Sequence, residues 1–252
     1  MRAHGVRALL MGGQACVFYG AAEFSRDVDL AIFADAGNLA RLKKALAELQ
    51  AECIAVPPFD LKWLRRGHVI HFRCHHLEAL QMRVDVMSRM RGVHSFARLW
   101  QRRTIIEMPG GEPCDLLSLP DLVQAKKTQR DKDWPMIRRL VEASYFHHQE
   151  SRDATRVRFW LAELRSAELL IEVARKHLAI ARKRVRQRPL LRLALAGRKS
   201  QLESALQAEE RAERHRDQLY WRPLKKELEA LRHELGKNKP SGAPAGEPDG
   251  GY

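Results

Sequence analysis

Long apolar runs are missing from this 252-residue chain. Nowhere do about eighteen apolar residues follow one another, which excludes a membrane-spanning helix. The opening residues, Met1-Arg-Ala-His-Gly, lack the apolar stretch of a secretory signal. Cysteine is scarce: Cys16, Cys53, Cys74 and Cys114 are scattered without paired spacing. That pattern argues against a disulfide scaffold and points to reduced thiols in a cytoplasmic protein. Acidic residues are also short, 31 against 45 Lys and Arg, leaving a net charge of +14. The positive excess covers both halves and favours a polyanionic partner, nucleic acid above all. An Arg- and Ala-rich composition also yields basic proteins with no such partner. A hydrophobic fraction of 45% is enough to build a sizeable core, in one domain of ordinary size plus an appendage.

Apolar periodicity divides the chain. Val6 to Met11 reads as a buried strand ended by Gly12-Gly13, and Gln14 to Ala22 as a short helix. Val28 to Phe33 is a second strand, interrupted by a carboxylate. Asn38 to Cys53 carries Leu39, Leu42, Leu46 and Leu49 at helical spacing. Strands are expected at His68–Cys74 and Met82–Met87, then helix from Pro120 to Tyr145 with a break near Trp134-Pro135. The expected fold is α/β, in the sense of an α+β-type mixed sheet, over residues 1–148. From Ser151, Val157, Leu164, Ile171, Leu178 and Val185 recur every seven residues, with Trp160, Ala167, Ala174 and Ala181 three later. This predicts a heptad seam, a coiled-coil-like helix stopped by Pro189. A second helix is expected from Leu190 to Tyr220 and a third from Pro223, with Gly236 as its stop. Residues 149–236 therefore read as an all-α hairpin or bundle, folding back on the first domain or forming a homodimer. Residues 237–252, rich in Gly, Pro and Ser, read as a disordered tail.

The chemistry concentrates in Gly12-Gly13, Ser25-Arg-Asp-Val-Asp and Arg83-Val-Asp-Val-Met. Asp27 and Asp29 are two apart on a strand, so both carboxylates project to one side. Side by side they repel, and a hard divalent cation such as Mg²⁺ (or Mn²⁺) resolves that conflict. Gly12 and Gly13, between strand and helix, let backbone N–H groups approach a phosphate closely. Asp85 is mid-strand among apolar neighbours, where a carboxylate is costly unless bound to metal or paired with Arg83 or another arginine.

These segments resemble the DNA polymerase β-like nucleotidyltransferase superfamily, whose signature is a glycine turn, an Asp-x-Asp pair and a later strand Asp. Within it the chain looks most like the bacterial abortive-infection toxin nucleotidyltransferases. It shares their later helix through Asp121, Leu122, Lys126, Arg130 and Asp131, with Lys127, Lys132 and Asp133 close by. The resemblance spans roughly residues 6 to 145. It implies that an NTP donates a nucleoside monophosphate to a hydroxyl on RNA (tRNA first), protein or a small molecule, releasing pyrophosphate. Asp27, Asp29 and Asp85 would hold the metals, and Gly12, Gly13 and Ser25 would cradle the phosphates. Lys126 or Lys127 would neutralise developing charge, and Arg26 would support the loop or reach a phosphate. A helix often precedes the first strand in these relatives. Here the strand begins almost at Met1: either that helix is absent, which would leave one sheet face exposed, or the true start lies upstream of Met1.

Rival readings stand beside this one. The sheet domain could serve a non-catalytic nucleic-acid-binding or toxin–antitoxin interaction protein, or a small-molecule nucleotidyltransferase of the antibiotic-modifying kind. His68, His71, Cys74, His75 and His76 do not converge on one tetrahedral zinc, because adjacent strand residues face opposite ways. The cluster Arg175, Lys176, Arg182, Lys183, Arg184, Arg186 and Arg188 is either a phosphate-binding face or a solvated helix exterior.

Overall fold

A computed structural model describes residues 1–151 and 153–237. Beyond Lys237, the tail expected over 237–252 lies outside the described residues. The first half is a mixed seven-stranded sheet in the order β3-β4-β5-β2-β1-β7-β6. Its strands are β1 (Ala8–Met11), β2 (Asp27–Ile32), β3 (Glu52–Cys53), β4 (Ile70–Arg73), β5 (Arg83–Met87), β6 (Thr104–Glu107) and β7 (Pro113–Leu116). β2 runs parallel to β5 and antiparallel to β1, so these three form the centre of the sheet. Leu9, Leu10 and Met11 of β1 are all buried, as a central strand covered on both faces requires.

Helices α1 (Gly12–Phe18), α2 (Ala36–Glu48), α3 (Leu61–Arg66), α4 (Phe96–Arg102), α5 (Leu119–Ala125) and α6 (Asp133–His148) accompany the sheet. α2 starts where the Asp35 carboxylate accepts the Asn38 N–H at 3.0 Å, and it buries Leu39, Leu42 and Leu46. It ends at Glu48 rather than reaching Cys53: Gln50 has φ +49°, and Glu52–Cys53 pair with β4 as an edge strand. The break expected at Trp134-Pro135 lies earlier, at residues 126–132. Trp134 and Pro135 sit in the first turn of α6, where a proline lacks no intrahelical donor. Across the sheet face bearing Ala8, Leu10, Val28, Leu30 and Val84 runs an apolar cavity of about 450 Å³, bordered by Met1 and Arg2.

The second half is helical: α7 (Ala154–Glu163), α8 (Ala167–Lys176), α9 (Leu178–Arg184), α10 (Leu191–Leu195) and α11 (Lys199–Lys237). The seven-residue pattern does not make one long helix. Backbone breaks at Leu164–Ser166 and His177 fold it into short helices that pack on one another. The reason is the width of the apolar surface. Leu161, Leu170 and Val173 are buried as fully as Trp160 and Ala174, more than a two-position seam can cover, while Leu178 is exposed. Pro223 opens no new helix either, because α11 runs through it. Leu202 and Leu206 of α11 join the helical core, while Leu224 is buried beside Gly67 of the first half. α11 therefore ties the two halves together. Among the described residues no helix is long and apolar enough to cross a membrane.

Candidate active site

Strand register builds the site. Asp29 and Asp85 are direct Cα partners on the adjacent parallel strands β2 and β5, and Met11, the last residue of β1, is the partner of Asp29 on its other side. Neighbouring strands are about 5 Å apart, and partners in register point to the same face. The two carboxylates thus stand side by side at the head of α1. Asp27, two residues earlier and exposed, projects to the same side at the rim.

The glycine turn is shaped around this pair. Gly12 has φ +66°, and a Cβ built on it would lie 1.7 Å from Asp29 Oδ2. A Cβ on Gly13 would lie 2.3 Å from Ser25 Oγ. The Gly13 N–H donates to the Asp29 carboxylate. Gln14 Nε2 donates to the Ser25 carbonyl at 2.6 Å, and the Cys16 thiol to the Gly12 carbonyl at 3.1 Å. Only glycine permits this approach of backbone to carboxylate. Gly12→Ala should therefore cost about 1–2 kcal/mol for the left-handed backbone alone, plus the displacement of Asp29. Gly20→Ala is the control: its φ is +73°, but nothing lies within 4 Å of its Cβ. Thermal melts should show the larger loss at Gly12. Equal losses would contradict the close packing against Asp29.

Electrostatics separates the two carboxylates. Burial, then the neighbouring charge of Asp85, pushes Asp29 above the usual carboxylate range, and Lys126, the Gly13 N–H and Arg130 do not fully reverse this. Asp85 is also penalised by burial, yet His71 and Arg83 outweigh it and hold it below its ordinary value. His71 Nδ1 lies 2.8 Å from Asp85 Oδ1, and Arg83 Nε donates to that same oxygen at 3.0 Å. Arg83 is the local counter-charge to all three acids. Burial would lower its pKa, but Asp85, Asp27 and Asp29 together raise it. The alternative foreseen for Asp85, an ion pair with Arg83, is therefore present.

Positive charge reaches Asp29 from the α5–α6 loop. Lys126 Nζ lies 3.1 Å from Asp133 Oδ1, and Arg130 Nε and Thr128 Oγ1 donate to Asp133 Oδ2 at 2.9 and 2.5 Å. Burial raises the Asp133 pKa, but Lys126, Arg130 and Thr128 bring it below the usual value. A depressed carboxylate contributes stability that is complete above its unfolded pKa, near 4, and lost as pH falls through its folded value. Asp133→Asn should cost about 2 kcal/mol at pH 7, since the largely covered Lys126 and the exposed Arg130 lose the buried carboxylate they share, and should flatten the acid limb of a stability–pH curve. An unchanged acid limb would contradict this.

The structure divides the other residues expected at the site. Ser25 lines the glycine turn, and Arg26 is exposed beside it. Lys126 faces the carboxylates, but Lys127 does not: its Nζ lies 2.8 Å from Glu163 Oε1, in the helical half. Neighbours at the end of a helix point in different directions, and this pair is split accordingly. Ser118 caps α5 by accepting the Asp121 N–H, the Asp121 carboxylate accepts from the Ser118 hydroxyl and from Arg102, and the exposed Asp131 pairs with Arg214. The functional residues that sequence reasoning underrated are His71 and Asp133. Arg83 was legible, since two-residue spacing puts it on the face of Asp85, whereas His71 arrives only through the β4–β5 pairing.

Among the described residues no group of three His, Cys, Asp or Glu side chains is gathered to hold a metal ion. The arrangement is a carboxylate pair, with Asp27 at the rim and Arg83 against it. Two adjacent half-buried carboxylates, one raised by partial burial and by the other's charge, still fit the hard oxygen-donor chemistry of a divalent cation. The His and Cys side chains weighed for zinc disperse: His68 bonds Glu227, His71 approaches Asp85, and Cys74 is a buried free thiol. Compared with known proteins, the chain matches no family model and no curated sequence.

Proposed function

We propose that this chain is a metal-assisted nucleotidyltransferase, moving a nucleoside monophosphate from an NTP to a hydroxyl acceptor. The observation that supports it best is the in-register pairing of Asp29 with Asp85 directly against the Gly12-Gly13 turn. Asp29 and Asp85 would hold Mg²⁺ or Mn²⁺, with Asp27 joining from the rim. A bound divalent cation supplies positive charge to the triphosphate and acidifies an attacking hydroxyl.

The chain's own groups do the rest. The missing Cβ atoms of the glycine turn let the Asp29 carboxylate and the Ser25 hydroxyl close against its backbone, and phosphate oxygens would sit beside that turn. Lys126 and Arg130, held by Asp133, set fixed positive charge where negative charge grows on the leaving pyrophosphate. Asp85, kept low by His71 and Arg83, stays ionised at neutral pH and so remains a ligand. Arg26 is open to solvent and free to meet an incoming phosphate, whereas Lys127 is committed to Glu163. Modification of an essential RNA or protein would inhibit growth, the toxin-like outcome.

One observation favours a second reading. Arg83 already answers the acidic charge at Asp85, as it would in a non-catalytic binding protein that keeps only the fold. A single experiment separates the two: incubation with each α-labelled NTP in turn, with Mg²⁺ or Mn²⁺, and with total RNA and lysate protein as acceptors. Transfer predicts label on an acceptor and release of pyrophosphate. Failure to label any acceptor, combined with no thermal shift by NTP and divalent cation, would leave the binding reading.

A further inference from the structure

Between Glu172 and Glu203 the chain has no acidic residue, while the same stretch carries ten Lys and Arg. The structure sorts nine of these cations into two groups, and the tenth, Arg184, is half-buried. Arg188 is buried, donating to the Leu161 and Leu164 carbonyls and to Glu209, and Lys176 and Lys199 pair with Glu150 and Glu168. Arg175, Arg182, Lys183, Arg186, Arg192 and Arg198 are exposed, and among the described residues none of them is ion-paired. Arg182, Lys183 and Arg186 fall within little more than one turn at the end of α9. Arg175 of α8 lies over Gly197, where a built Cβ would be 2.3 Å from its Nη2, so its guanidinium sits beside the turn after α10 that also carries Arg198. α8, α9 and α10 pack on one another, so these charges belong to one packed unit of the helical half.

Like charges held together without counter-ions create a field that a polyanion relieves. Four polyanionic surfaces are chemically distinct. An anionic membrane requires an apolar face beside the charge, yet Leu178 is the one large exposed hydrophobic in this stretch among the described residues. Single-stranded nucleic acid requires aromatic platforms for its bases, yet residues 161–219 contain no Phe, Trp or Tyr. Sequence-specific DNA reading requires a helix long enough to lie in the major groove. α9 and α10 have seven and five residues, and their exposed polar side chains are almost all cationic. Contacts to phosphate alone, without base readout, match the recognition of base-paired RNA by shape. We propose that the α8–α10 end is a docking surface for the phosphate backbone of double-helical RNA. This surface is separate from the carboxylate pair and does not depend on the nucleotide reading.

The test is binding of the full chain to a labelled hairpin RNA across a salt series. The variant Arg182→Glu, Lys183→Glu, Arg186→Glu should bind at least about tenfold more weakly and reduce the log–log salt slope by about 3, with an unchanged melting temperature. A control of equal charge change, Arg222→Glu, Lys226→Glu, Arg232→Glu, should lose far less. The Arg→Gln and Lys→Gln versions should fall between wild type and the reversal. Equal losses in variant and control would reduce the effect to bulk charge and overturn the proposal. Undiminished binding by the reversal variant, no binding by wild type, or preference for duplex DNA or phosphatidylserine vesicles would also overturn it.

Discussion

Asp29→Asn should reduce nucleotide transfer by roughly 10³-fold or more and yet raise the melting temperature of the protein in EDTA. The two effects share one cause. Burial and the charge of Asp85 push the Asp29 pKa upward, so its ionised form is a cost in the metal-free fold. A raised carboxylate detracts from stability above its folded pKa, and the cost fades as pH drops and the group protonates. Asparagine keeps the shape and removes the charge. Asp85→Asn should also abolish transfer but destabilise, because His71 and Arg83 lose the carboxylate that they hold below its ordinary pKa. Two neighbours in one register, substituted identically, should thus move stability in opposite directions. Melts of both variants in EDTA and in Mg²⁺ read the result, and Mg²⁺ should stabilise wild type but not Asp29→Asn. If both substitutions destabilise alike, the electrostatic account of the pair fails. If Mg²⁺ stabilises all three proteins equally, it binds elsewhere.

Arg91→Ala should cost about 3 kcal/mol, because it removes the guanidinium shared by two largely buried carboxylates and leaves Glu213 only Arg216 and Asp217 chiefly the Gln129 N–H. For a chain of this size that corresponds to a melting temperature lower by roughly 6–12 °C. Arg91 Nε donates to Asp217 at 3.3 Å, and its Nη2 to Glu213 at 2.8 Å and to the Lys127 carbonyl at 2.6 Å. The Asp217 side chain is only 3% exposed, and burial already raises its pKa despite Arg91 and the Gln129 N–H. The same contacts fasten α11 to the α5–α6 loop, with Gln129 N–H donating to Asp217 at 2.9 Å and Arg214 to the Gln129 carbonyl at 3.2 Å. That loop carries Lys126 and Arg130. Losing Arg91 should therefore weaken transfer as well as stability, even though Arg91 touches neither carboxylate of the pair. Activity measured well below the melting temperature separates the two effects. Full activity at that temperature would mean that α11 stabilises the loop without positioning it.

Much of the first half could be read from residue order, because its elements are short and their apolar patterns local. The run Leu9-Leu-Met before Gly12-Gly13, the helix through Leu39, Leu42 and Leu46, and the alternation around Val84 and Val86 each identify an element within a few residues. α3, α4 and the β6–β7 hairpin were missed, being four to seven residues long with no sustained period. The helical half misled for the opposite reason. A seven-residue repeat is compatible with one long helix or with several that fold back, and only the total apolar surface, buried from many sides at once, selects the second. Within the site, two-residue spacing put Asp27 beside Asp29 and Arg83 beside Asp85.

By itself the sequence determined the strand–glycine turn–helix unit, the acidic pairs on their strands and the positive charge of the whole chain, all consequences of local spacing and composition. The tertiary structure alone decided that Asp29 meets Asp85, that His71 joins Arg83 in holding Asp85, that Lys126 faces the site while Lys127 turns away, and that α11 straps the α5–α6 loop. Those are pairings between segments far apart in the chain, 126 residues in the case of Arg91 and Asp217. No local pattern encodes which strand lies next to which, since that choice comes from burying all the apolar faces together.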